Sequence, residues 1–342
     1  MIKGNDRIGY WVGDLPVGCK LCFRGSKSVI FITGLCSNNC FYCPISKDRK
    51  FRDVFFINDV EVKKLKDVAV EVAASLSEGA GITGGDPLEV LDRVVMVIRS
   101  LKEVFSSKFH IHLYTNGHKL DRKAATLLEN AGLDELRIHI TSRKSLEGLK
   151  IALEHGFTLV VENPVIPGQS FSILELIKSL ADIGVKYVNL NELEVSDLNY
   201  ESFLIRGLKI GSDGRSVIGS KETAIEVLNL VKESGLDVSV HYCPAIYKDL
   251  HQYPRRLSRR AIATKRVFET VGNSLVTWLE IDEKATDSII KKLWLTDLAV
   301  KYSNKYMTHQ SLSNEFKTGK VVEALPLTPR KILNETSLKR LK

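Results

Sequence analysis

The stretch SVIFITGLCSNNCFYCPIS, residues 28–46, decides how the rest of the chain is read. Its first six residues are rich in β-branched and aromatic side chains, which predicts a strand over 28–33. The strand runs into a loop with cysteines at 36, 40 and 43. Three thiols from one tight loop leave a tetrahedral zinc site one ligand short. A [4Fe–4S] cluster also takes four ligands, but one of its irons can be left open for another molecule.

Working outward, the same strand signal recurs at 79–84, 109–115, 135–140, 158–165, 187–195 and 237–244. Between these runs lie amphipathic helical patterns near 59–78, 89–105, 121–131, 144–155, 171–183 and 221–234. In EVLDRVVMVIRSLKEVF, for example, apolar residues fall at 90, 91, 94, 95, 97, 98 and 101. Such alternation predicts an α/β fold with a parallel sheet and helical crossovers. Seven strands fall short of a complete eight-fold barrel, so the expected closure is a partial (β/α)6-type barrel. The expected organisation is an N-terminal segment at 1–27 carrying a C-x2-C, the partial barrel at 28–247, and a small basic α+β extension at 248–342. The loop at 196–220 is long, yet its Phe203, Leu204 and Ile205 predict order against a neighbour.

In such folds the chemistry sits at the C-terminal ends of the strands. Cys36 follows the first strand, GGDP the second, TNG the third and ENPVIPG the fifth. This C-x3-C-x2-C after the first strand, with GITGGDP one strand later, resembles the radical S-adenosylmethionine (SAM) superfamily. The texture is that of members related to pyruvate formate-lyase activating enzyme, archaeal proteins among them. The resemblance covers about residues 28–244. It implies that Cys36, Cys40 and Cys43 hold a [4Fe–4S] cluster whose open iron takes the amino and carboxylate groups of SAM. It implies that Tyr42, before the last cysteine, contacts the adenine. Gly84, Gly85 and Asp86 stand where the family receives the SAM amino group, with Asp86 replacing the usual Glu. Thr115, Asn116, Glu162, Asn163 and Asn191, at strand ends, stand where it binds ribose and carboxylate, and His139 is a further candidate cofactor contact. His110 and His112 read equally well as core residues. The implied chemistry is one-electron cleavage of SAM to a 5′-deoxyadenosyl radical, with a ferredoxin- or flavodoxin-type electron donor.

A second cysteine set lies outside that motif. Cys19 and Cys22 form a C-x2-C, and Cys243 ends the last predicted strand. In a closed barrel the first and last strands meet, so these three and His241 could share a second metal. With the histidine the set suits structural zinc; the cysteines alone suit a second Fe–S cluster.

The bulk numbers bound the remainder. Six cysteines in 342 residues, five of them between 19 and 43, point to metal or redox chemistry rather than a disulfide scaffold. The absence of a long apolar run and of a signal-type N-terminus predicts a cytoplasmic protein without a membrane span. The net charge of +8 is uneven: residues 248–342 carry 19 Lys and Arg against 10 Asp and Glu, and residues 1–247 carry 30 against 31. In YPRRLSRRAIATKR, a helix after Pro254 would gather Arg255, Arg256, Arg259, Arg260 and Arg266 on one face, a candidate phosphate-binding surface. The leading expectation is therefore a radical enzyme acting on a macromolecule, most of all RNA or tRNA. A glycyl-radical-enzyme activase, or another protein-modifying radical SAM enzyme, is the first alternative. A non-catalytic zinc nucleic-acid-binding protein is the second. The oligomeric state is left open.

Overall fold

The computed structural model describes residues 1–282, 290–291 and 297–338. The chain divides into two compact units. The first comprises Met1–Val72 and Ser77–Gln252; the second takes Ala73–Leu76 and the chain from Tyr253 onward.

The first unit opens with a hairpin, β1 (Lys3–Asn5) and β2 (Gly9–Val12), and a helix, α1 (Val17–Arg24). Strand β3 (Lys27–Thr33) follows, then a second hairpin, β4 (Phe56–Ile57) and β5 (Val60–Glu61), and helix α2 (Lys66–Ala74). Strand and helix then alternate: β6 (Gly79–Gly84), α3 (Leu91–Phe105), β7 (His110–Thr115), α4 (Arg122–Ala131), β8 (Glu135–His139), α5 (Arg143–Ala152), β9 (Thr158–Val165), α6 (Ser170–Asp182), β10 (Tyr187–Glu192), α7 (Tyr200–Ile205), α8 (Ser220–Ser234) and β11 (Ser239–Cys243). The sheet order is β1-β2-β11-β10-β9-β8-β7-β6-β3-β4-β5, and neighbours from β11 through β3 pair in parallel. This is an α/β fold with seven adjacent parallel strands, the order of a partial barrel.

Local chemistry explains these elements. The strands alternate faces: Leu136 and Ile138 are fully buried in the hydrophobic core, while Glu135, Arg137 and His139 share the opposite face. Helix α3 presents Val94, Val97, Ile98 and Leu101 to that core. Helix α4 starts at Asp121, whose carboxylate accepts from the Ala124 amide at 2.7 Å, and ends at Gly132 in the left-handed region. The helical pattern expected over 59–78 is corrected at its start. Asn58 takes a left-handed φ of 51° and turns the chain into a two-residue hairpin instead.

Residues 1–27 are built into the first unit rather than standing apart. Strand β2 pairs antiparallel with β11, Trp11 opposite His241. Helix α1 packs against β3, β6 and β7. The contact is close because of glycine. The Gly18 amide donates to Glu135 Oε2 at 3.0 Å, and a Cβ on Gly18 would lie 2.7 Å from Arg137 Nη2 and 2.8 Å from His112 Nδ1.

The second unit is α+β. Helix α9 (Tyr253–Thr264) precedes β12 (Thr270–Gly272), β13 (Leu275–Asp282), β14 (Val300–Tyr302), β15 (Lys305–Thr308), β16 (Lys320–Leu325) and β17 (Lys331–Ser337). The sheet order is β14-β15-β13-β16-β17, with β12 on β13. Ala261, Phe268, Val276, Trp278, Val322 and Ala324 form its core. The single arginine face expected on α9 is corrected here. Arg256 and Arg260 are buried: the Arg256 guanidinium lies over the Tyr253 ring, and Arg260 donates to the Pro326 carbonyl. Arg259 donates to the Leu76 carbonyl at 3.1 Å, and Arg266 sits over Phe268. Only Arg255 and Arg266 of the five are exposed. The reason is that α9 needs an inward side, and its arginines occupy it with their aliphatic stems. Among the described residues no helix is long and apolar enough to cross a membrane.

Gly18→Ala should lower the unfolding free energy by about 1–3 kcal/mol, the usual range for overpacking. Chemical denaturation of the variant beside the wild type checks this; an unchanged midpoint would show that α1 can lift off β7 and β8 without loss.

Candidate active site

The C-terminal ends of the parallel strands and the inner face of α1 enclose a cavity of about 480 Å³. Cys36, Cys40 and Cys43 line it as half-buried free thiols. Their loop is tied at its base. The Gly34 amide donates to the Arg52 carbonyl at 2.8 Å, and the Phe51 amide returns a bond to Gly34 at 2.8 Å. A Cβ on Gly34 would fall 1.7 Å from the Arg49 carbonyl oxygen, so only glycine allows the closure. The Gly85 and Asp86 amides bond the Thr33 and Leu35 carbonyls at 2.8 and 2.7 Å, which fixes the second motif to the first.

Burial raises the Cys36 and Cys40 thiols, so metal binding there must release protons. Cys36 Sγ accepts from the Asn38 amide at 3.3 Å and faces Asn116 Nδ2 at 3.7 Å. Among the described residues, one group of three His, Cys, Asp or Glu ligand atoms lies mutually within 4.8 Å, namely His110, His112 and Glu135. The three loop sulfurs are therefore spread more widely than a single zinc would hold them, since Zn–S bonds of about 2.3 Å keep tetrahedral sulfurs roughly 4 Å apart. Three thiols spread around a cavity, with N–H donors on one sulfur, fit a larger cluster.

Tyr42 and His139 form one wall. The Tyr42 hydroxyl lies 3.2 Å from His139 Nε2, with the ring centroids 5.7 Å apart. Burial raises the Tyr42 phenol and lowers the His139 imidazole, so both are neutral near pH 7. The other wall is polar. Glu162 accepts from Arg137 Nη1 and Asn189 Nδ2, each at 2.9 Å, and from Asn191 Nδ2 at 2.6 Å. Arg137 also pairs with Glu135. Burial favours the neutral form of Glu135, but Arg137 and His110 hold it well below the usual carboxylate range.

Gly84, Gly85, Thr115, Asn116, His139, Glu162 and Asn191 share the cavity with the cysteines and Tyr42. Two expected contacts are corrected. Asp86 is buried behind the wall, its carboxylate taken up by the Leu88 and Asn116 amides and by Thr115 Oγ1, at 2.9–3.1 Å. One methylene shorter than the usual Glu, it braces the strand ends. Asn163 points to the other side of β9, as alternation after Glu162 requires, and donates to the Pro164 carbonyl at 3.0 Å. The long loop is ordered as expected, with Phe203 fully buried against Phe41 and Tyr42.

The second cysteine set also lines this cavity, with Cys19, Cys22, His241 and Cys243 all at its wall. His241 Nδ1 lies 3.2 Å from Asn189 Oδ1, and burial lowers its imidazole to about 4. Sequence reasoning missed Arg137, Asn189, Lys27 and Tyr114, which line the cavity as well. The signal for Arg137 was present: Glu135, Arg137 and His139 alternate with apolar residues, and so share the face that cannot be solvent in a covered parallel sheet.

His110 and His112 lie away from the cavity. His112 is fully buried, and neither of its ring nitrogens has a hydrogen-bond partner among the described residues. Burial lowers its imidazole well below the ordinary value of 6.5, with Arg137 adding to the effect. The folded state thus keeps it neutral while the unfolded state charges. Its contribution is complete above pH 6.5 and declines as the pH falls from there towards the folded value. His112→Leu should therefore show a smaller drop in thermal midpoint between pH 7.5 and 5 than the wild type. Equal drops in the two proteins would contradict the burial argument.

Known proteins share parts of this sequence. The family model described as Radical SAM superfamily matches residues 30–144. A Methanocaldococcus jannaschii protein named "Putative glycyl-radical enzyme activating enzyme" is 36% identical over 269 residues, 75% of this chain and 70% of that protein. A GTP 3',8-cyclase of Helicobacter pylori is 26% identical over 200 residues, 53% of this chain and 59% of that one. Among solved structures, Streptococcus suis SuiB bound to S-adenosylmethionine superposes with a TM-score of 0.46 at 13% identity, covering 64% of this chain and 50% of SuiB. With the cysteine loop, the strand-end motif and a relative of this extent in agreement, the chain belongs to the radical SAM superfamily.

Proposed function

We propose that this radical SAM enzyme removes a hydrogen atom from a glycine of a partner protein. The observation that carries the reading is the 36% identity, across 70% of its length, to the Methanocaldococcus jannaschii protein named for activation of a glycyl-radical enzyme. Cys36, Cys40 and Cys43 would hold the [4Fe–4S] cluster. With SAM and an electron from a ferredoxin- or flavodoxin-type donor, that cluster supplies a 5′-deoxyadenosyl radical able to take hydrogen from an unactivated C–H bond. The chain's own residues do the rest. Tyr42 and His139, their rings tilted at 58° to one another, give a neutral aromatic wall against which an adenine ring could lie. Glu162 and Asn191 offer acceptor and donor to a ribose or an amino-acid head. The strand ends, tied by the Gly85 and Asp86 amides to the Thr33 and Leu35 carbonyls, hold the reacting groups in place.

Two features support a protein partner over RNA. The arginines of α9 that would have formed a phosphate-binding face are in part buried. At the ordered loop, α7 turns Phe203 inward against Tyr42 and leaves Leu204 50% and Ile205 82% exposed, an apolar edge suited to a polypeptide. Membership of the superfamily sets aside the non-catalytic zinc protein.

The test is anaerobic incubation with SAM, a reductant and either the soluble proteins or the total RNA of the source organism. A glycyl-radical doublet in the electron paramagnetic resonance spectrum, appearing only with the protein fraction, is the expected result. A changed nucleoside in the RNA arm, with no protein radical, would overturn it. Cys40→Ala should abolish 5′-deoxyadenosine formation in both arms; full production would sink the assignment of the loop. The double variant Leu204→Asp/Ile205→Asp should keep uncoupled cleavage of SAM and lose at least tenfold of the stimulation by the protein fraction, as measured by chromatography of 5′-deoxyadenosine.

A further inference from the structure

Half of the cysteines take no part in the site proposed above. We propose that Cys19, Cys22 and Cys243 hold a second [4Fe–4S] cluster, with one iron open, at the wall of the same cavity. Cys19 and Cys22 are three residues apart on α1, hence on one face of the helix. Cys243 is the last residue of β11 and pairs in register with Asn191 of β10. Folding thus carries three free thiols from the two ends of the first unit to one cavity wall.

Two independent observations point to what they hold. Cys19 Sγ receives Arg137 Nη2 at 3.4 Å and Asn189 Nδ2 at 3.6 Å, donors of the kind that stabilise a ligating thiolate. Lys27, only 7% exposed, lines the same cavity, and its ammonium makes no hydrogen bond or ion pair with any described residue. An ammonium at a cavity wall without a charge partner on the protein favours an anion in the cavity. A cube carrying three thiolates is an anion. An anionic small molecule would also satisfy Lys27, but it would leave three converging thiols without a role. The three sulfurs are not all within 4.8 Å of one another, wider than one tetrahedral zinc holds its thiolates. His241 is not needed as a ligand. Its Nδ1 lies 3.2 Å from Asn189 Oδ1 and 3.8 Å from Cys19 Sγ, its Nε2 has no hydrogen-bond partner among the described residues, and three thiolates complete the proposed cluster without it.

The count of iron and acid-labile sulfide in anaerobically purified protein tests this, and it does not depend on what the enzyme acts upon. The wild type should hold about eight irons, and about four should survive both in a Cys36→Ala/Cys40→Ala/Cys43→Ala variant and in Cys19→Ser/Cys22→Ser/Cys243→Ser. In reduced wild type, SAM should shift one cluster signal in the electron paramagnetic resonance spectrum and leave a second unmoved. This last readout needs no variant to fold. About four irons, all lost with the first cysteine set, would overturn the proposal. So would a single resonance wholly shifted by SAM, or one zinc equivalent lost with the second set in place of iron. Failure to abstract hydrogen from glycine would leave the count untouched and would bear only on the reading of function.

Discussion

The first unit depends on one buried guanidinium. Arg137, in the middle of β8, is 2% exposed and lies between the carboxylates of Glu135 and Glu162. Two anions about one cation make a triad whose separate parts could not be buried. Through Glu135 it holds the Gly18 amide, and so the start of α1; through Glu162 it holds Asn189 and Asn191 in the cavity wall. Removing one member of such a set typically costs about 3–5 kcal/mol, because the others are left charged and dry. The same contacts that anchor α1 shape the site, so stability and chemistry cannot be varied separately there.

Much of this was legible in the sequence. Strand propensity and helical periodicity located the seven parallel strands, because strands buried on both faces read as short β-branched runs whatever lies beside them. Cys36, Cys40, Cys43 and Tyr42 were legible because they form one local motif. What escaped was non-local. Asn189 and Arg137 meet Cys19 across the sheet, and no spacing encodes that. Asp86 shows the opposite failure: its motif position was recognisable, yet its carboxylate is spent on neighbouring amides, a choice visible only once β6 and β7 are side by side. The α9 arginines failed in a third way. A helical wheel finds the angular cluster but cannot say which side faces the core.

The basic excess from residue 248 onward is therefore not evidence of a polyanion partner by itself. Part of it is structural, as Arg330 and Glu269 show with paired bonds of 2.9 and 2.7 Å in the interior of the second unit. The helix that carries most of these arginines therefore offers less free charge than its sequence suggests.

The pairing of β2 with β11 has a consequence for how the chain reaches this form. Trp11 precedes the parallel strands in sequence, and its sheet partner, His241, lies on the last of them. The β2–β11 pairing closes a loop that contains β3 and β6–β10, so it is among the longest loop closures in the unit. Cys19 and Cys22 arrive with α1, and Cys243 arrives with β11. The second cysteine set is thus brought to one cavity only when both ends of the first unit are in place.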